Sequence, residues 1–305
     1  LRGAAVAAQV LHTGRHGIAT AREQGELMPL RQQLRHKRST HKTGPAHHQN
    51  LHTSACELAA IQSAGAAHWG PCALGWMGRF NEVLRSLNNL KLLAAIGRSG
   101  GDLRTVADLV DNFIDSPQMQ DCIRRFRAVP GGAALMDERY PPLQPNLEQL
   151  SQLPEGSLGQ RYARLITTLG YDPEFFRPRP ITSEAQWLTQ RVATTHDIHH
   201  VICGFGTAPQ GESGVLAVTA AQIGFPAYVL LSTASQLASF RFQIERFEGI
   251  SLAISHGQAI GHRARCLMAS RWEEGWEKPV SVWRSELGIT DPADAEPYGL
   301  AAQLP

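Results

Sequence analysis

No Asp, Glu, Lys or Arg stands between Ser213 and Phe240, and this uncharged run limits the fold more than any other stretch. A membrane span would suit such a run. However, Gly224-Phe225-Pro226 interrupts it, and Thr219, Gln222, Ser232, Thr233, Ser235 and Gln236 make both halves too polar for a hydrocarbon core. Two buried helices are therefore expected, each needing other helices around it.

Just upstream, Ser183 is a natural helix cap, and Trp187, Leu188, Val192 and Thr195 lead into His196-Asp197-Ile198-His199-His200. On a helix, His196 and His200 share one face, so two imidazoles can converge on one metal ion while Asp197 projects about 100° round the axis. A further ligand must come from elsewhere. Gly204, Gly206, Pro209 and Gly211 are expected to break the helix and let the chain return with Glu212. The pattern H-D-x-x-H-x11-E resembles the paired-histidine layout of zinc proteases, with Asp197 where those enzymes carry their Glu base. The competing reading is that these groups only satisfy one another in a core, and the density of histidine and acid in one turn weighs against it. His199 is offset from His200 and is expected to support a ligand or face solvent. Cys203 has no C-x-x-C companion. The five cysteines are unpatterned, which argues for a reducing compartment and against a disulfide framework.

The full H-D-x-x-H-x11-E pattern, with two further segments, resembles the ubiquinone (coenzyme Q) biosynthesis protein 4 family. The first segment is Leu153-Pro154-Glu155-Gly156-Ser157-Leu158-Gly159 followed by Tyr162 and Ala163. The second runs from Gly257 and Gly261 through Trp272-Glu273-Glu274 to Arg284-Ser285-Glu286-Leu287-Gly288-Ile289. The resemblance spans roughly Met77 to Ile289. It implies an all-α fold with an apolar, lipid-accommodating interior and a divalent metal held by His196, Asp197, His200 and Glu212. It points to zinc, while a redox-active metal also suits the ligands. Asp197 and Glu212 are the candidate catalytic groups. The implied reaction removes the C1 carboxylate of a polyprenylated quinone precursor and hydroxylates that carbon. The implied partners are that precursor or another isoprenoid lipid, other quinone-biosynthesis proteins, a membrane surface and a second copy of the chain.

The rest of the chain divides by charge. Residues 1–76 hold eight Lys/Arg against three Asp/Glu, with eight of the thirteen histidines, whereas residues 77–305 hold 21 basic and 24 acidic groups. The first quarter, with its basic run Arg31 to Lys42, cannot bury enough apolar area to offset chain entropy. It is expected to be a disordered arm ahead of a native start at Met77; the rival readings are a transit peptide or a basic tail. The domain is expected over 77–290, with a loose tail at 291–305.

Within that domain, Phe80, Val83, Leu84, Leu87, Leu90 and Leu92-Leu93 recur at helical spacing. A core-facing helix is favoured over a membrane-surface one. Val106, Leu109, Val110, Phe113 and Ile114 continue the period to Ser116-Pro117, and a short helix should follow. The prolines and glycines between Pro130 and Pro145 predict an extended connector. Ser157 should cap a helix that Gly170 stops, and Gly257 and Gly261 should let another helix approach closely. Trp272 and Trp276 are expected to close the helical body as one amphipathic end.

Three function classes remain: a metal enzyme, a non-catalytic prenyl-lipid scaffold, and an H-D phosphohydrolase. The last ranks low, because His196-Asp197 is the only H-D dipeptide. The expected location is cytoplasmic or on the inner face of a membrane, on the mitochondrial matrix side in a eukaryote. No nucleic-acid partner is expected.

Overall fold

Short-range capping chemistry sets most helix starts. In the computed structural model, which describes residues 84–96, 103–170 and 181–303, Ser116, Ser157 and Ser183 each accept a hydrogen bond from the backbone N–H three residues on. These caps open α3 (Pro117–Ala128), α6 (Leu158–Leu169) and α7 (Glu184–Cys203). Gly170 and Gly204 take left-handed geometry where α6 and α7 end, as do Gly224 and Gly288 after the helices Pro209–Ile223 and Val280–Leu287. The other helices are α1 (84–96), α2 (Leu103–Asp111), α4 (Gly132–Asp137), α5 (Leu147–Ser151), α8 (Pro209–Ile223), α9 (Pro226–Phe242), α10 (Ile244–Arg263) and α11 (Val280–Leu287). Among the described residues the only β-type pairings are two isolated bridges, Ser157 with Pro279 and Phe205 with Gly299. The fold is all-α.

The uncharged run becomes α8 and α9, broken at Gly224-Phe225-Pro226 as its composition predicts. No described helix is long and apolar enough to cross a membrane. From Gly211 to Thr219, α8 is wholly buried. It packs along α10, and the glycine spacing explains how closely. A Cβ at Gly257 would lie 2.1 Å from the Gly214 carbonyl oxygen, and one at Gly261 would lie 2.7 Å from both Ala221 Cβ and the Val218 carbonyl oxygen. Only hydrogen fits there, so the small-residue spacing is packing chemistry in this molecule. A satellite core of Ala217, Ala238, Ile250 and Ile254 lies where α8, α9 and α10 meet.

Three segments depart from the sequence reading. In α1, Leu84, Leu87 and Leu90 are exposed, and only the last turn, ending at the buried Ile96, reaches the core. The 130–145 connector contains a helix, α4, because Leu135 and Met136 find core contacts that its flanking prolines do not forbid. Trp272 and Trp276 do not form one α-helical end. Trp272 is buried in a single 3-10 turn, Trp272–Glu274, pinned by the buried Arg191 of α7. That guanidinium donates to Glu273 at 2.6 Å and to the Ser270 carbonyl at 2.5 Å.

The family-like segments also meet in space. Leu158 N–H donates to the Lys278 carbonyl, Gly159 N–H to the Trp276 carbonyl and Val280 N–H to the Gly156 carbonyl. The tail expected to be loose is hydrogen-bonded at Tyr298, Leu300 and Gln303 to the loop after α7. The arm predicted over 1–76, and the helix start at Met77, lie outside the described residues.

Candidate metal centre

Positions 196 and 200 fall on the inward face of α7, one turn apart, and both histidines are buried. Their rings meet edge to face with centroids 5.0 Å apart. α7 stops at Gly204, whose N–H donates to the His200 carbonyl. The chain re-enters a helix at once, with Pro209 in the first turn of α8. Glu212 therefore sits in that first turn, at the positive end of the helix dipole. Pro209 and Gly211 belong to α8 and do not break it, contrary to the sequence reading. The break is shorter, from Gly204 to Ala208.

Four side-chain atoms converge. His196 Nε2 lies 2.9 Å from Glu212 Oε1, His200 Nε2 lies 3.1 Å from Glu212 Oε2, and the two Nε2 atoms are 3.3 Å apart. His200 Nδ1 is 3.0 Å from the Phe205 carbonyl oxygen. A carbonyl only accepts, so Nδ1 carries the proton and, in the neutral ring, Nε2 turns a lone pair to the site. Glu212 Oε2 makes no hydrogen bond despite that 3.1 Å approach. Two lone-pair atoms so close in a buried site repel unless a cation stands between them, and a proton or a metal ion would serve. The donor set, two imidazole nitrogens and a carboxylate, suits a divalent transition metal or zinc.

The electrostatics agree. Burial opposes ionisation of Glu212, but the two imidazoles outweigh it and hold the carboxyl well below the usual carboxylate range. Burial likewise works against charge on His200, yet the Glu212 carboxylate holds its proton above the ordinary imidazole range. At His196 burial prevails and the pKa falls. Charge in this pocket thus depends on Glu212.

Asp197 is partly exposed, and one of its oxygens lies with one nitrogen from each of His196 and His200 inside a 4.8 Å cluster. Its partial exposure contrasts with the full burial of Glu212. His199 does not face solvent. It is buried against Trp272, with neither ring nitrogen hydrogen-bonded, and burial holds its pKa far below the imidazole range. His256 spends its two nitrogens on the Tyr298 hydroxyl and the Asp291 carbonyl, away from the cluster.

Two residues of the site escaped sequence reasoning. Tyr228 of α9 packs its ring 5.7 Å from His196, and burial together with Glu212 and Asp197 raises its hydroxyl pKa. Its signal was present, as the one tyrosine in the uncharged run. Arg284 of α11 donates to the Ile202 and Val201 carbonyls at 2.8 and 3.1 Å, closing the end of the histidine helix. No spacing rule could have paired residues so far apart in sequence.

Residues 102–293 match the family model described as Coenzyme Q (ubiquinone) biosynthesis protein Coq4. The mitochondrial ubiquinone biosynthesis protein COQ4 homologue of Rattus norvegicus is 32% identical over 170 residues, 53% of this chain and 62% of that protein. The Homo sapiens homologue is 27% identical over 256 residues, 82% of this chain and 84% of that protein. A crystal structure from Nostoc punctiforme PCC 73102, of a protein provisionally assigned to ubiquinone biosynthesis, superposes with a TM-score of 0.62 at 30% identity. It covers 68% of this chain and 97% of that one. The match to the rat relative thus spans less than two thirds of its length.

Proposed function

The chain belongs to the Coq4 family, and on that premise we propose that it acts in ubiquinone biosynthesis as a metal-dependent enzyme on a polyprenylated, carboxylated ring. The observation that carries this reading is the buried approach of both Glu212 oxygens to the two imidazoles, Oε1 at 2.9 Å from His196 Nε2 and Oε2 at 3.1 Å from His200 Nε2, a donor set that suits a cation. In the proposed reaction the C1 carboxylate leaves as carbon dioxide and a hydroxyl takes its place, a net oxidation that requires an oxidant.

His196, Asp197, His200 and Glu212 would hold the ion. When bound, a divalent ion supplies a positive centre for the substrate's oxyanion, and a redox-active one also supplies oxygen chemistry. The protein's own groups do the rest. Phe205 fixes the His200 tautomer through its carbonyl. Asp197, partly exposed, can take or return a proton at the ring oxygen, while Glu212 stays ionised beneath. Tyr228 walls the site with an aromatic face.

One feature favours a second reading, a scaffold that presents a prenylated intermediate to other enzymes of quinone synthesis. Leu237, Phe240, Phe242 and Ile244 are all more than half exposed around the α9–α10 corner, a surface suited to a membrane or to a second copy of the chain. Conversion separates the two. Purified protein given a divalent metal, an oxidant and a carboxylated prenyl-phenol should release carbon dioxide and yield the hydroxylated ring. Tight binding without turnover in every metal form would leave the scaffold.

A further inference from the structure

The loop that orients His200 is held from outside by the end of the chain. Leu300 N–H donates to the Gly204 carbonyl at 2.7 Å, and Gly206 N–H donates to the Tyr298 carbonyl at 2.9 Å. Between these two bonds, Phe205 forms an isolated antiparallel bridge with Gly299. Gln303 Oε1 accepts from Thr207 N–H at 2.6 Å and from the Thr207 hydroxyl at 3.0 Å. The Phe205 ring stacks on Tyr298, whose hydroxyl meets His256 of α10. Asp294 pairs with Arg284 at 2.6 Å, and that same arginine caps the last carbonyls of α7.

The glycines at the break and in the first turn of α8 have the same explanation. A Cβ at Gly204 would lie 2.6 Å from Asp294 N, one at Gly206 would lie 2.9 Å from the Gly299 carbonyl oxygen, and one at Gly211 would lie 2.7 Å from the Tyr298 carbonyl oxygen. These glycines do more than turn the chain toward Glu212. They leave room for the backbone of the tail, which follows the family-matched residues 102–293.

We propose that the segment Asp294–Gln303 is a positioning strap for the metal centre. It holds the Phe205 carbonyl against His200 Nδ1 and so fixes the direction in which Nε2 points. None of the contacts given above is with a ligand side chain; the strap acts on His200 through the Phe205 carbonyl, while its pair with Arg284 holds the end of α7 beside it. This inference rests on the metal reading above. A carbonyl or carboxylate that orients a ligating histidine typically changes metal affinity by about 10–100-fold when lost, and a residue one contact further out should change it by less.

Cobalt(II) is the probe, because its visible absorption reports ligand geometry while a thermal transition reports folding separately. Deleting residues 293–305 should raise the cobalt dissociation constant by about tenfold or more and alter the absorption bands. Since that deletion removes the buried Ala293 and Leu300, Gln303→Ala is the deciding variant. It should weaken cobalt binding several-fold and shift the bands in the same sense, with the thermal transition kept. Gln303→Glu preserves an acceptor for Thr207 and should restore the native bands. Native bands and affinity in folded Gln303→Ala would overturn the strap while leaving the metal centre standing. Failure of the native protein to take up cobalt would overturn both.

Discussion

Two regions of this molecule reverse the usual partition of residues, in opposite directions. Around α7 and α8 the imidazoles of His196 and His200 and the Glu212 carboxylate are sealed from water. Around the α9–α10 corner, Leu237, Phe240, Phe242 and Ile244 stand in it. Burying polar groups without full pairing costs free energy, and so does exposing large apolar groups. Each region is therefore incomplete alone, and the two deficits have different chemistry. The inner one calls for positive charge and the outer one for apolar surface.

The sharpest way to break this comparison is His200→Ala. It should abolish stoichiometric divalent-metal binding, measured by elemental analysis of purified protein with circular dichroism to confirm folding, because one of few ligands is gone and water enters. Full occupancy in the folded variant would mean that His200 is not a ligand of the ion.

Next in size, Glu212→Gln and Asp197→Asn should each weaken metal affinity without abolishing it. The larger loss is expected at Glu212, whose carboxylate contacts both Nε2 atoms. Titration with a competing chelator would rank them, and an equal or reversed order would place the ion on the Asp197 side. His199→Ala should leave metal binding near native, since its ring packs on Trp272, outside the cluster.

Dependence on pH sharpens the inner region further. His200 has a raised pKa in the folded protein, so its proton stabilises the metal-free form below the ordinary imidazole range, and that contribution is lost as pH rises through the raised value. Metal replaces the proton. The gain in melting temperature on adding metal should therefore grow as pH rises through the imidazole range. A gain independent of pH would show that no proton is displaced.

The smallest effect on folding belongs to the outer region. Leu237→Ser with Phe240→Ser should change stability by only about 0.5 kcal/mol each, as exposed positions usually do. Association with phosphatidylcholine vesicles should fall, read by flotation. Unchanged flotation would leave the corner to a second copy of the chain, which sedimentation of the native protein and the variant would reveal.

The caps at Ser157 and Ser183, the stops at Gly170 and Gly224, and the shared face of His196 and His200 were legible in the sequence. Each depends on groups within about one helical turn. The exposure of Leu84, Leu87 and Leu90 was not legible, because helical periodicity shows that a face is apolar and not what lies against it. For the same reason the burial of His199 and the order of the tail were missed.

The residues alone determined an all-helical chain with a charge-free pair of helices and two histidines able to converge on one ion. Tertiary structure decided that Glu212 meets both Nε2 atoms, that the Phe205 carbonyl selects the His200 tautomer, and that Tyr298, Leu300 and Gln303 close over that loop. The physical reason is distance along the chain. Caps and i,i+4 faces are set by neighbours whose geometry the backbone already dictates. Convergence of α7, α8 and the tail depends on which surfaces exclude water together, a property of the whole packed molecule.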